Sequence, residues 1–335
     1  MAAAKKKVLS KKGKKAVARP AAQDPAKKAS LAKARKPAKK SAPRSSKKGL
    51  TAKPPRGAQH RPVTMVPKTP PPPAAPVKEV AERALDLLRD PDGTLPRFRE
   101  MAEDVGLSIP ALKERLASIT PASTFTDLFP SHDAPPHYTW SGRATLTAML
   151  LRKAQFPLAA DVVFGGDLRV SDRLFVPGNL VVKGRLTVYG TTLVVMGNVQ
   201  VDVFEDEYAS VAIGGDFSAA RALYTQAFLG VAGQTKAPFV CLDFNQGFAK
   251  LLGGCAATVL IESDHGGSRI FGPVTAGYVS VDELRTDVAL SASPPEALAE
   301  LLHADARDGA LAKIADFDLG SYLWTALGEG KRLFP

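Results

Sequence analysis

Between Ala160 and Tyr189 the chain repeats every six residues: ADVVFG, GDLRVS, DRLFVP, GNLVVK and GRLTVY follow one another without interruption. Each unit places Val or Leu third and Val or Phe fifth. Apolar and polar positions therefore alternate at the two-residue period of a strand with one buried face. A unit this short cannot bury a core by itself. It can do so only by stacking on further units like itself, and that makes a β-solenoid. Gly, Asn or Asp at the unit boundaries supplies the corners, with access to positive φ the expected reason for glycine there.

Three units make an 18-residue turn, so Gly166 is expected beside Gly184, and Gly197 beside Gly215. GTTLVVM (190–196) carries one residue too many, which predicts a bulged corner, and GNVQVD (197–202) resumes the beat. FEDEY (204–208) reads as an acidic loop pushed out of a turn, able to dock a basic segment or to stay solvated. SVAIGGDF, APFVCLDF, ATVLIES and GYVSV carry the pattern to about Val281. The fold class is thus mainly β, a β-solenoid over 160–290 with about six short rungs and a length of roughly 30 Å at the ~4.8 Å strand spacing.

The flanks differ in kind. Residues 1–76 hold 22 Lys/Arg against a single acid, Asp24, which leaves 23 basic and 32 acidic groups in the other 259 residues. This Lys/Ala/Pro-rich segment has too few large apolar residues to offset its ordering entropy and is predicted to be disordered, ending in the polyproline-type spacer KTPPPPAAP (68–76). Residues 77–120 read as a helical module with Val77, Val80, Ala81, Ala84, Leu85 and Leu88 on one helix face. Residues 121–159 read as a connector with a helix near 143–154, and 291–335 as a C-terminal helical cap that starts at SPPE (293–296).

The block GDLRVSDRLFVPGNLVVKGRLTVYG resembles bactofilins, polymer-forming cytoskeletal proteins. It is more similar still to bacterial relatives of that solenoid that share an Asn-x-Gly segment, an Asp-His step and a Gly-Lys/Arg-hydrophobic tail. The matching residues here are Asn245 and Gly247, Asp264 and His265, and LGEGKRLF (327–334). The resemblance covers about 160–335. It implies a right-handed β-helix and self-association through solenoid ends. The helical segments at 77–153 and 294–327 are a departure from that pattern and are expected to cover the ends.

No cofactor is implied, and no catalytic constellation stands out, so a non-enzymatic role is expected. MAEDVGLSIPALKERL (101–116) resembles a helix-turn-helix core, with Ser108, Ile109, Ala111, Lys113 and Arg115 as candidate DNA contacts and Glu100, Glu103, Asp104 and Glu114 opposing phosphate approach. Sequence-independent binding of nucleic acid or another polyanion falls to the basic tail, through Lys5, Lys6, Lys7, Lys11, Lys12, Lys14, Lys15, Lys27, Lys28, Lys39 and Lys40. His132, Asp133 and His137 lack the further ligands that a metal site requires. Glu262, Asp264 and His265 offer an acid/base group only if a pocket surrounds them, and the alternative enzymatic reading would place a site near His265.

Cys241 and Cys255 read as buried free thiols of a reducing compartment. No apolar run reaches the ~18 residues of a membrane span, and the basic N-terminus has no apolar segment after it. The expected location is the cytoplasm, with nucleoid association through the tail. Two functional classes follow: a self-associating scaffold tethered by its tail, or a DNA-binding regulator that oligomerises through the solenoid.

Overall fold

The computed structural model describes residues 77–132, 137–243, 247–263, 267–281, 284–287, 290–314 and 318–335. The basic segment 1–76, with all its candidate lysines, therefore lies outside the described residues, as do Asn245, Asp264 and His265.

Five α-helices precede the strands: α1 (Val77–Leu87), α2 (Pro91–Thr94), α3 (Phe98–Asp104), α4 (Ile109–Ala117) and α5 (Trp140–Lys153). Fifteen strands follow among the described residues. They are β1 (Val162–Phe164), β2 (Leu168–Val170), β3 (Leu174–Val176), β4 (Leu180–Tyr189), β5 (Thr192–Val195), β6 (Val199–Glu207), β7 (Ser210–Ile213) and β8 (Phe217–Thr225). The series continues with β9 (Phe228–Val231), β10 (Thr235–Asp243), β11 (Phe248–Leu251), β12 (Cys255–Ser263), β13 (Arg269–Ile270), β14 (Val274–Ser280) and β15 (Arg285–Thr286). Helices α6 (Pro295–Leu301), α7 (Ala304–Lys313) and α8 (Leu319–Gly328) close the chain.

Every strand pair is parallel. One sheet runs β1-β4-β6-β8-β10-β12-β14 with β2 also on β4, and the other runs from β3 through the odd-numbered strands to β15. The first half of β4 pairs with β1 and its second half with β2, so each long strand bends across a corner and spans two of three faces. The result is a parallel β-solenoid of about six turns. Partners lie 18 residues apart at Val162↔Leu180 and Leu168↔Leu186, but 19 apart at Leu174↔Leu193. The surplus residue of GTTLVVM is absorbed at the corner where Gly190 adopts φ +61°. Leu186, Val188, Val195, Val199 and Val201 are core residues.

Most corner glycines serve another purpose than the one expected. Gly184, Gly197, Gly215 and Gly233 are absent from the positive-φ residues. What they lack room for is a Cβ. At Gly197 it would sit 2.2 Å from Asn179 Oδ1 and 2.7 Å from the Gly178 carbonyl oxygen, and at Gly215 2.2 Å from Asn198 Oδ1. The side chain after each glycine reaches to the next turn. Asn179 Oδ1 accepts from the Asn198 N–H (2.7 Å), Asn198 Oδ1 from the Asp216 N–H (2.9 Å), and Asp216 Oδ1 from the Gln234 N–H (2.9 Å). Gly166 and Gly197 stack next to Gly184 and Gly215, as the 18-residue turn predicts.

FEDEY is not an extruded loop. Phe204–Glu207 is the end of β6, with Phe204 and Asp206 both facing inward and fully buried. Asp206 is tolerated because the next turn saturates it. Its Oδ1 accepts from the Gln226 N–H (2.9 Å) and the Ala227 N–H (3.2 Å), and Thr225 Oγ1 lies 2.8 and 2.9 Å from its two oxygens. Burial pushes this carboxyl up to about 7, against the opposing pull of those hydrogen bonds.

The helices clad the solenoid's flanks, and the segment before α6 also bonds β14 in the last described turn through Ser293 and Val279. Trp140, Ala144, Leu146, Ala148, Leu150 and Leu151 of α5 share a core with Val194, Met196 and Ala212 on the outer side of the third face. Close approach is possible because glycine faces the helix: a Cβ at Gly230 would meet Thr145 Oγ1 at 2.1 Å. Helix α1 packs outside α5, and Arg83 Nε donates to the Ala154 carbonyl (2.8 Å). On the second face, α6–α8 cover Val203, Ala222, Tyr224, Phe239 and Val259, with Trp324 stacked on Tyr224 at 4.6 Å. Both cysteines are buried and free, their thiols pushed up by burial, Cys255 to about 12.

Two outcomes follow. Gly197→Ala forces a Cβ against backbone and is expected to cost about 1–3 kcal/mol in urea unfolding. Asp206, with a native pKa above that of the unfolded chain, contributes stability that is complete below about pH 4 and lost as pH rises through 7. Asp206→Asn keeps the acceptor for both N–H groups and does not ionise, so its melting temperature should gain on the native chain's as pH rises from 5 to 8. An unchanged difference across that range would contradict the assignment.

Candidate functional site

The helix-turn-helix-like segment has the predicted local geometry. Ser108 caps α4 by accepting from the Ala111 N–H (3.3 Å), Gly106 makes the turn at φ +63°, and Ala102, Val105, Leu112 and Leu116 are buried between the helices. Its surfaces are used differently from a free DNA reader. Ser108 and Ala111 are exposed, Lys113 is half-buried, and Ile109 packs against the module's core. Arg115 is half-buried, and burial together with the nearby Arg143 lowers its pKa. The exposed acid Glu114 lies on the same helix.

The acids of α3 face the solenoid, where sequence reading had assigned them only a repulsive role toward phosphate. Lys250, Arg269 and Arg285 are register partners on β11, β13 and β15, so three cations stand in one column on consecutive turns. Asp104 is inserted into that column with 2% of its side chain exposed. Lys250 Nζ lies 2.8 Å from Asp104 Oδ2 and donates to the Gly267 carbonyl (2.7 Å), Arg269 Nη1 is 3.3 Å from Asp104 Oδ1, and Arg285 also reaches Oδ1.

Glu100 pairs with Arg97 (2.7 Å) and Arg269, and Arg97 pairs with Asp287. Arg97's hydrogen bond holds the Glu100 carboxyl down to about 2. Burial lowers the Lys250 ammonium, and Asp104 opposes that shift. Arg269 also covers the Phe271 ring at 4.0 Å. A cavity of about 510 Å³ opens beside this network, lined by Tyr138, Ser141, Phe248 and the charged groups. Cations and carboxylates neutralise one another across it, so the arrangement is suited to docking the helical module. A signal for it exists in the sequence: basic residues recur at 250, 269 and 285, close to the length of one turn.

With two faces clad, the first face is the one left open among the described residues. Its outward column runs Val163, Val181, Gln200, Ser218, Lys236, Ala256 and Thr275. Small side chains such as Ala220, Ala256 and Thr258 leave a shallow groove of about 560 Å³ along it. At the ends, β1–β3 and β14–β15 have a strand partner on one side only, among the described strands, and the segment before α6 also reaches β14: the Ser293 N–H donates to the Val279 carbonyl (2.8 Å) and Ser293 Oγ accepts from the Val279 N–H (3.0 Å). The apolar residues there, Val162, Phe164 and Leu174 at one end and Val274, Ala276, Leu284 and Leu290 at the other, are partly buried.

Of the remaining candidates, Glu262 is buried at 4% exposure, whereas Asp264, His265, Asp133 and the side chain of His137 lie outside the described residues. No group of three or more His, Cys, Asp or Glu among the described residues is placed to hold a metal ion. No described helix is long and apolar enough to cross a membrane.

Asp104→Ala removes the shared counter-ion of three cations and should destabilise the chain by about 3–5 kcal/mol. The loss should appear as faster hydrogen exchange in α1–α4 with the strands of the solenoid still protected. Comparison with protein-family models, curated proteins and solved structures returns no match to this chain, so its reading rests on its own residues.

Proposed function

We propose that this chain is a non-enzymatic scaffold: a self-associating solenoid that presents an interaction surface, tethered to nucleic acid or another polyanion by its basic segment. One observation carries the reading most directly. The helices clad two flanks of the solenoid and leave its first face open, and the strands of its first turn, β1–β3, have a strand partner on one side only, among the described residues. Half-paired parallel strands with partly buried apolar neighbours are a template for further strands. The bactofilin-like hexads point the same way, toward end-to-end assembly of a right-handed coil.

The division of charge supports the tether. Twenty-two cations and a single acid in 1–76 are attracted to an anionic polymer, and their contacts would release counterions. A cytoplasmic location with nucleoid association fits this reading. The alternative regulator, reading DNA through α3–α4, is favoured less because Glu100 and Asp104 tie α3 to the solenoid and α4 exposes Glu114.

Sedimentation velocity of the full chain should show mass rising with concentration, and assembly persisting in 0.5 M KCl because apolar contacts drive it. Binding to random-sequence duplex DNA should fall on the order of a thousandfold between 50 and 200 mM salt and vanish in a chain that begins at Val77. A monomer at all concentrations would remove the scaffold, and sequence-selective binding by the shortened chain would favour the regulator.

A further inference from the structure

The two ends of the solenoid differ. In the last described turn the chain answers its own edge, because Ser293 satisfies both the carbonyl and the N–H of Val279 (2.8 and 3.0 Å). Leu284 and Leu290 pack against the core at the same end. The first turn has no such cover among the described residues. The Val162 N–H donates to the Asn179 carbonyl (2.9 Å), toward the second turn. Alternate residues of a strand point their backbone groups to opposite edges, so the N–H and carbonyl of Val163 face the open edge. Among the described residues no hydrogen bond reaches them there.

The core layer at that end is unfinished too. Val162, Phe164 and Leu174 are partly buried, whereas their register partners Leu180, Val182 and Leu193 are no more than 1% exposed. An open edge and an open core layer in one place call for an occupant that brings both strands and apolar side chains. A lone extended segment serves one face of three. Residues 1–76 are poor in large apolar residues and rich in proline, which lacks the N–H that an added strand donates. A parallel continuation would need the last turn of a neighbour, where Ser293, Leu284 and Leu290 already lie. The first turn of a second copy remains, with three strands of three residues on the same triangular outline.

We infer that two copies of this chain join first turn to first turn, about a two-fold axis across the solenoid, and that assembly stops at this dimer. The two-fold reverses strand direction, so the added pairs are antiparallel: the strand on the axis meets its own copy, and the other two exchange partners. Val162, Phe164, Leu168, Val170 and Leu174 of each copy then close one continuous core. The contact is small, three short strands a side, so the dimer is reversible and concentration-dependent. The inference rests on the self-association of the scaffold reading and narrows it: one open end gives a closed pair, where two would give a filament.

Sedimentation equilibrium of the full chain in 0.5 M KCl tests this. The mass should rise from 35.5 kDa with concentration and level off at twice that value. Val163→Pro removes only an N–H that faces the open edge, and Val163→Lys sets a charge beside it while keeping every backbone group. Each should weaken the dimer at least tenfold and keep the native circular dichroism spectrum, and the lysine variant serves if proline disturbs β1. Cys241 and Cys255 are buried, so a nitroxide on Lys183→Cys, exposed in the second turn, is the single label. The two labels of a dimer should lie within about 35 Å, whereas copies joined at their last turns would hold them beyond about 45 Å at ~4.8 Å per turn. Growth past two chains without a plateau overturns the closed dimer and leaves the scaffold reading standing. Labels at the longer distance, or both Val163 variants pairing as the native chain does, overturn it as well. A monomer at every concentration overturns this inference and the scaffold reading together.

Discussion

At the corners between the third and first faces, the backbones of successive turns approach so closely that a Cβ would lie within 2.2 Å of the Asn or Asp side chain below it. Everything else about the solenoid depends on that approach. It lets the short side chain after each glycine bond the N–H one turn on, so the corners are hydrogen-bonded where the ladders of the flat faces are interrupted. It also keeps the three faces in register from turn to turn, so that Leu, Val and Phe stack on one another through the interior. Buried polar groups are admitted where the next turn answers them, as Thr225, Gln226 and Ala227 answer Asp206.

A coil built this way has apolar or small residues on parts of its outer surface, and the flanking helices take two of the three faces. Helix α5 lies close on the third face because Gly214 and Gly230 oppose Ala148 and Thr145. The α6–α8 group covers the second face through Tyr224 and Trp324. The ion pairs around Asp104 then set where α3 sits, since one carboxylate is shared by cations from three successive turns. Breaking such a buried arrangement costs more than the arrangement contributes over an apolar one, so its role is to specify position.

Much of the fold was legible because a β-solenoid is nearly one-dimensional: each turn meets only its neighbours, so a local period states the global contact pattern. The inward residues, the 18-residue turn and the surplus residue before Leu193 could all be read from 160–202. What misled were features whose meaning lies in a partner far along the chain. Asp206 looked solvated because a carboxylate in FEDEY is costly to bury, and its donors stand about twenty residues later. That the flanking helices lie along two faces was not legible, because amphipathic periodicity reports that a face is buried without reporting against what. The acids of α3 looked like obstacles to DNA for the same reason.

The sequence by itself determined the strand period, the inward set and the separation of a basic segment from an acidic body, because alternation, glycine spacing and charge are local properties. Only the tertiary structure decided that most corner glycines, Gly197 and Gly215 among them, serve close approach instead of positive φ and that the helices clad flanks. It alone brought Lys250, Arg269 and Arg285 into one column around Asp104. That grouping arises from stacking residues 19 and 16 positions apart at one strand spacing, a distance relation that no single turn of the sequence contains.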